Sequence, residues 1–296
     1  MFIDIHVHTR LFSGPNRHGT DQTYASPEQL IEMYDDVGID RACILPGVSP
    51  ECSHHPQSPL EAGVIAEKYP DRFIPFCNVD PRHVRNSPDA DLGYLLDYYK
   101  EAGYKGVGEI TANLPFDDPM VENLFHHTER VGLPLTFHVA TQKGGTYGLI
   151  DDLHLPRFSR AVEKFPDLVF LCHSQAFWSE ISGDVTDANR GGYPEGPVTE
   201  GGQAAELIMN YDNVYGDLSA GSGFNAVSRD PEFGYWFLEE CQDKLLFGTD
   251  VCAPKNRENV LINLKNFLED ALAEGHISQE VFDKVTHRNA QKVLNL

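Results

Sequence analysis

Eight short apolar runs alternate with helix-length sequence along this chain, and that alternation restricts the fold more than any other feature. The runs cover residues 2–8, 41–45, 72–79, 104–110, 133–140, 168–174, 213–218 and 244–250. Each is β-branched or aromatic and bounded by Gly, Pro or charge, as strands are. Between them lie helical stretches at 90–102, 120–131, 157–165, 203–210, 231–241 and 256–274. Ser26-Pro27-Glu28-Gln29 and Ser58-Pro59-Leu60-Glu61 read as two further helix starts, with a capping Ser, Pro at the first position and Gln or Glu reaching back. Eight strand–helix alternations in 296 residues match one α/β domain spanning 1–296, a (β/α)8 TIM barrel, whose active site sits at the carboxyl ends of its strands.

Metal-ligand residues recur at those ends. The first run closes with His6 and His8; at i, i+2 on a strand they project from one side, close enough to grip one ion. Later runs deliver Glu109, His138, His173 and Asp250. Imidazole and carboxylate suit zinc first, then manganese or iron, with one position left open for water. Asp250 is the expected proton acceptor, and His173 is either a ligand or a second acid/base group. If Glu109 enters the shell it can bridge two ions, one held by His6, His8 and Asp250, the other by His138 and His173.

This set resembles the amidohydrolase superfamily, with H-x-H after the first strand, His after the fifth and sixth, and Asp after the eighth. It is similar to the amidohydrolase-related family 2 group, which contains aminocarboxymuconate semialdehyde decarboxylase, aromatic-acid decarboxylases, lactonases and hydratases. The resemblance spans nearly the whole chain, including the terminal Thr-His-Arg-Asn-Ala-Gln-Lys-Val-Leu-Asn-Leu segment. It implies that His6, His8, His138 and Asp250 are metal ligands and His173 the active-site histidine. Glu109 departs from that group, and Gly108-Glu109-Ile110 instead resembles TatD-type hydrolases, in which a Glu at this strand bridges two metals.

Four functions follow. The first is a metal-dependent hydrolase of a small polar ester, lactone or amide, which the Glu109 bridge favours. The second is a metal-dependent nonoxidative decarboxylase. The third is a PHP-type phosphoesterase, from the opening Asp4-Ile5-His6-Val7-His8-Thr9. The fourth, a non-enzymatic binding barrel, requires a lost ligand that is not evident.

With 23 Lys+Arg against 45 Asp+Glu the net charge is −22, which disfavours nucleic acid and anionic membranes as partners. The expected partner is a small molecule, and homo-oligomers remain compatible with the chain. No segment approaches the roughly 20 apolar residues of a spanning helix, and the amino terminus has no signal-peptide pattern, so a cytoplasmic location is expected. The six cysteines form no C-x-x-C pair and read as reduced packing residues. Three irregular stretches, 10–25, 174–201 and 219–230, follow the first, sixth and seventh strands and are expected to rim the mouth. Within them Arg10 continues the His6/His8 alternation and is a candidate clamp for a substrate anion. Trp178, with Phe177 and Tyr193, is a candidate pocket wall. His54 and His55 are candidate substrate contacts. The remaining histidines (His18, His83, His126, His127, His154, His276 and His287) read as structural, and Lys105 lies toward the wrong end of its strand.

Overall fold

The computed structural model describes residues 1–17, 19–52 and 55–296; His18 and His54 therefore lie outside the described residues. All eight expected strands are present and run parallel. They are β1 (Ile3–Val7), β2 (Arg41–Ile44), β3 (Phe73–Pro75), β4 (Val107–Ile110), β5 (Leu135–Ala140), β7 (Phe170–His173), β8 (Val214–Asp217) and β9 (Leu245–Leu246). A two-residue strand, β6 (Leu149–Ile150), pairs with the end of β5 outside this path. Hydrogen bonds pair β1-β2-β3 and β4-β5-β7-β8-β9. Bridges Cys77 to Val107 and Val7 to Val251 join the two sets, and Ile5 N–H to Phe247 O at 3.0 Å completes the closure. The result is a (β/α)8 barrel.

Two apolar layers hold it together. Ile3, Ile5, Cys43, Leu45, Ile74 and Phe76 pack together inside the ring of strands with Leu171, Tyr215 and Leu246, and Ala290 and Leu294 of the terminal helix join them from the amino end. A larger layer joins the outer strand faces to the helices. Burial on this scale stabilises at roughly 25 cal/mol per Å² of apolar surface removed from water. The lumen at the carboxyl end is polar instead, because its space is given to the site.

Several elements differ from expectation. Ser26 and Gln29 form the capping box, but Glu61 does not reach back to Ser58; its carboxylate accepts from Leu11 N–H at 2.7 Å and ties the first loop down. Residues 219–230 are not irregular, since Ala220–Ser228 is a helix whose Gly, Ser and Asn content hides it and whose Ala226 and Val227 are buried. The stretch 174–201 opens with a short helix, Gln175–Trp178. The expected 256–274 helix begins at Asn263, after a 3-10 turn at Pro254–Glu258. No helix among the described residues is long and apolar enough to cross a membrane.

Candidate metal centre

Local backbone devices aim the ligands. The β1–β2 register shifts between Asp4 and Val7. Ile3 and Ile5 thus pack into the lumen while His6 and His8, of opposite parity, also face it; bulges commonly re-aim side chains beside active sites. In β4, Gly108 has φ +137°, and a Cβ there would stand 2.5 Å from the Thr136 carbonyl oxygen, so only glycine lets the strand present Glu109. Asp250 adopts a left-handed φ of 57° and is pinned by its N–H to the His6 carbonyl at 2.8 Å. Such strain in a non-glycine residue gathers where a side chain must be placed.

The structure brings His6, His8, Glu109, His138, His173 and Asp250 together at the carboxyl mouth. His6 Nε2 and His8 Nε2 are 3.2 Å apart. Asp250 Oδ1 lies 3.9 Å from the first and 3.4 Å from the second. Glu109 straddles the cluster: Oε2 is 3.8 Å from His6 Nε2 and 3.7 Å from His8 Nε2, while Oε1 is 2.9 Å from His138 Nδ1 and 3.9 Å from His173 Nε2. Ligands about 2 Å from a common ion sit about 3–4 Å from one another, so these spacings fit. Two ligand groups result, His6, His8 and Asp250, and His6, Glu109 and His173, with His138 attached through Glu109.

Proton positions strengthen the fit. His8 Nδ1 faces the Leu45 carbonyl at 2.7 Å, and a carbonyl only accepts, so Nδ1 carries the hydrogen. His6 Nδ1 likewise donates to Asp217 Oδ2 at 2.7 Å. The Nε2 atoms therefore turn their lone pairs toward each other and toward two carboxylate oxygens, and the donor set calls for a positive centre. The ionisation pattern shows the same negative surroundings drawing a proton to His6 Nε2, which a bound cation would displace. Burial opposes charge on His6, but Asp217, Glu109 and Asp250 overcome it and hold the imidazole well above its usual range. Burial works against Asp250 too, yet His8 and His6 hold it below the ordinary carboxylate range. Burial opposes ionisation of Glu109 as well, and His138 and His6 keep it well down. Burial, then His6, pushes His173 down to about 4, so it is neutral at neutral pH.

Asp217 is not among the residues expected from the sequence, although it stands one residue before the end of the seventh expected strand, much as the candidate ligands stand at the ends of theirs. Fully buried, it receives His6 Nδ1 and lies 3.5 Å from His173 Nδ1, which also meets Ser219 Oγ at 3.0 Å. Carboxylates behind a ligating histidine typically contribute 10–100-fold in metal affinity. Asp217→Asn is expected to weaken binding of a divalent ion about 10-fold or more, measured by competition against a chromogenic chelator.

Other expected contacts separate. Arg10 lines the inner cavity with His8, Glu109, His138, His173 and Asp250; its guanidinium donates to the His55 carbonyl and lies 4.1 Å from the Tyr24 ring centre. Trp178 is a correction: it is a core residue, 2% exposed, packed on Phe177 and Phe237, with Nε1–H donated to Asp217 O at 2.8 Å. An indole between strand and helices shields the centre from behind and does not face substrate. Trp178→Ala is expected to cost about 3–5 kcal/mol in denaturant unfolding, the usual range for a buried Trp. Phe177 is buried with it, and Tyr193 sits at the rim, its Oη accepting from Gln175 Nε2 at 3.2 Å. The wall is supplied instead by Tyr147, whose ring lies 4.5 Å from that of His138, and by Tyr24 and Arg17, loop residues with no periodic signal. Asn113 fixes the Tyr147 loop, accepting from Gly144 N–H at 2.6 Å and donating to Gln142 O at 3.1 Å. Among the other described histidines, none belongs to a candidate ligand group, and Lys105 donates to Asn295 O at the amino end. All six cysteines are free.

A family model described as amidohydrolase matches residues 3–296. No curated protein matches the chain. Solved structures do. A TIM-barrel protein from Bordetella bronchiseptica aligns with TM-score 0.66 at 17% identity, over 99% of this chain and 98% of its own. A probable 2-pyrone-4,6-dicarboxylic acid hydrolase from Acinetobacter baumannii, with citric acid bound, aligns at 0.61 and 11% identity, covering 100% and 99%. A 5-carboxyvanillate decarboxylase from Novosphingobium aromaticivorans, complexed with manganese and 4-hydroxy-3-methoxy-5-nitrobenzoic acid, aligns at 0.62 and 16%, covering 100% and 96%. At these identities the likeness is one of fold.

Proposed function

We propose that this chain, which belongs to the amidohydrolase family across residues 3–296, is a metal-dependent hydrolase that cleaves a small polar ester, lactone or amide. The observation that carries this reading is the placing of two carboxylates: Glu109 spans the cluster, with Oε2 3.7 Å from His8 Nε2 and Oε1 2.9 Å from His138 Nδ1, and Asp250 Oδ1 lies 3.4 Å from His8 Nε2. Carboxylates so placed can orient a water and accept its proton, which suits attack by water better than protonation of carbon.

His6, His8, Asp250, Glu109, His138 and His173 would hold one or two divalent ions, zinc first on ligand chemistry, with manganese or iron compatible. Such a cation supplies Lewis-acid activation of water and of a carbonyl. The residues do the rest. Asp250 takes a proton as the water oxygen bonds to the carbonyl carbon, then returns it to the departing oxygen or nitrogen as the carbon–heteroatom bond breaks. Asp217 and Leu45 O keep His6 and His8 turned toward the reacting atoms. Arg10 holds an anionic group of the substrate by paired hydrogen bonds, a role that a strongly acidic protein makes necessary. The phosphoesterase reading of Asp4 to Thr9 gives way to the family match.

Nonoxidative decarboxylation is the second reading, supported by the fold likeness to a manganese-bound decarboxylase of an aromatic acid. Products separate the two. The metal-loaded protein, offered esters, lactones, amides and aromatic acids in oxygen-labelled water, is expected to place the label in a product carboxylate without releasing carbon dioxide. Carbon dioxide release without label incorporation would replace the first reading by the second.

A further inference from the structure

We infer that Arg17 forms an outer anion subsite, so that the substrate carries a second acidic group remote from the bond that reacts. This deepens the hydrolase reading and rests on it for the identity of the inner site.

Space comes first. The inner cavity beside the ligands has a volume of about 70 Å³. One water takes about 30 Å³ of liquid, so this volume admits a reacting carbonyl group and little more. Adjoining it is a vestibule of about 600 Å³, within the range of ordinary ligand pockets. Arg17, Tyr24, Cys52 and Tyr147 line both and form the neck. Most of any substrate therefore lies in the vestibule, in contact with the neck.

Charge comes second. The chain has almost two acids for every base, and Arg72, Arg82, Arg130, Arg157, Arg257 and Arg288 each pair with a carboxylate; of the half-buried arginines without such a pair among the described residues (Arg17, Arg41 and Arg229), Arg17 is the one that lines the cavities at the candidate ligands. Arg17 makes no ion pair with a carboxylate among the described residues, although it is half-buried. Its guanidinium lies 5.3 Å from the centre of the same Tyr24 ring that Arg10 approaches. Two like charges gathered on one aromatic ring at the neck of a cavity are relieved by an anion between or beside them, and a guanidinium suits a carboxylate by two parallel hydrogen bonds. Arg10 is placed to serve the reacting end, buried beside His8; Arg17 serves the vestibule. The class of substrate is a small compound with two separated carboxylates, one of them outside the reacting centre.

Binding to the metal-loaded protein tests this without requiring turnover. Calorimetry would compare succinate with butyrate, glutarate with pentanoate and adipate with hexanoate at fixed ionic strength. At least one diacid is expected to bind about 10-fold more tightly than its monoacid partner, the scale of one charge-assisted hydrogen-bonded pair. Arg17→Met is expected to erase that excess while monoacid binding, which reports an intact fold, persists; Arg17→Lys is expected to keep part of it. An absent excess in the wild type, or one that survives Arg17→Met, overturns the subsite. If ester cleavage is found but the excess is absent, the hydrolase reading stands and the subsite falls. An Arg17-dependent excess in a protein that cleaves none of the esters, lactones or amides supports the subsite and removes the hydrolase reading.

Discussion

Asp250→Asn is expected to lower kcat by about 10²-fold or more while leaving the fold intact, because a general base contributes on that order. Asn preserves the shape and tolerates the left-handed backbone that Asp250 adopts, so the N–H bond to the His6 carbonyl should survive. What is lost is the negative charge, and with it the proton-accepting capacity, of the carboxylate whose Oδ1 lies 3.4 Å from His8 Nε2. Steady-state kinetics should show the loss mainly in kcat, with an unchanged melting temperature and circular dichroism spectrum. Near-normal kcat in this variant would remove Asp250 as the base and return that role to His173.

A second large effect is expected at His6, the one residue common to both candidate ligand groups. His6→Ala should deplete the protein of divalent metal and lower kcat/KM by roughly three orders of magnitude, since a catalytic cation supplies several kcal/mol and each 1.36 kcal/mol is tenfold. The buried Asp217 would also lose its partner, so a fall in stability should accompany the loss. Metal content and activity measured on the same preparations check this, and a variant that keeps both would take His6 out of the centre.

The barrel and its candidate ligands are legible because two periodicities coincide in the sequence. Strand alternation of period two placed His6 with His8, and the recurrence of Glu109, His138, His173 and Asp250 after apolar runs pointed to one end of one ring. Asp217 stands at the end of a strand too, but a carboxylate that orients a ligand has the same local sequence as any buried strand-end acid, and only the contact with His6 reveals its role. Other features had no local signal. The register shift in β1 depends on pairing with β2, and an aromatic pair after a strand reads the same whether it lines a pocket or, like Phe177 and Trp178, packs behind one. The helix at Ala220–Ser228 forms against its propensity because tertiary burial of Ala226 and Val227 outweighs the cost of its glycines. Arg17, Tyr24 and Tyr147 sit on loops positioned by long-range contacts such as Asn113 with Gln142 and Gly144, which no window of sequence contains.

Six side chains from five strands and the turns after them are proposed to build one metal centre. Elemental analysis of protein purified without chelator tests it most directly. One to two equivalents of a divalent ion per chain are expected, lost in His6→Ala; wild-type protein carrying no stoichiometric divalent metal, and taking none up on addition, would contradict such a centre.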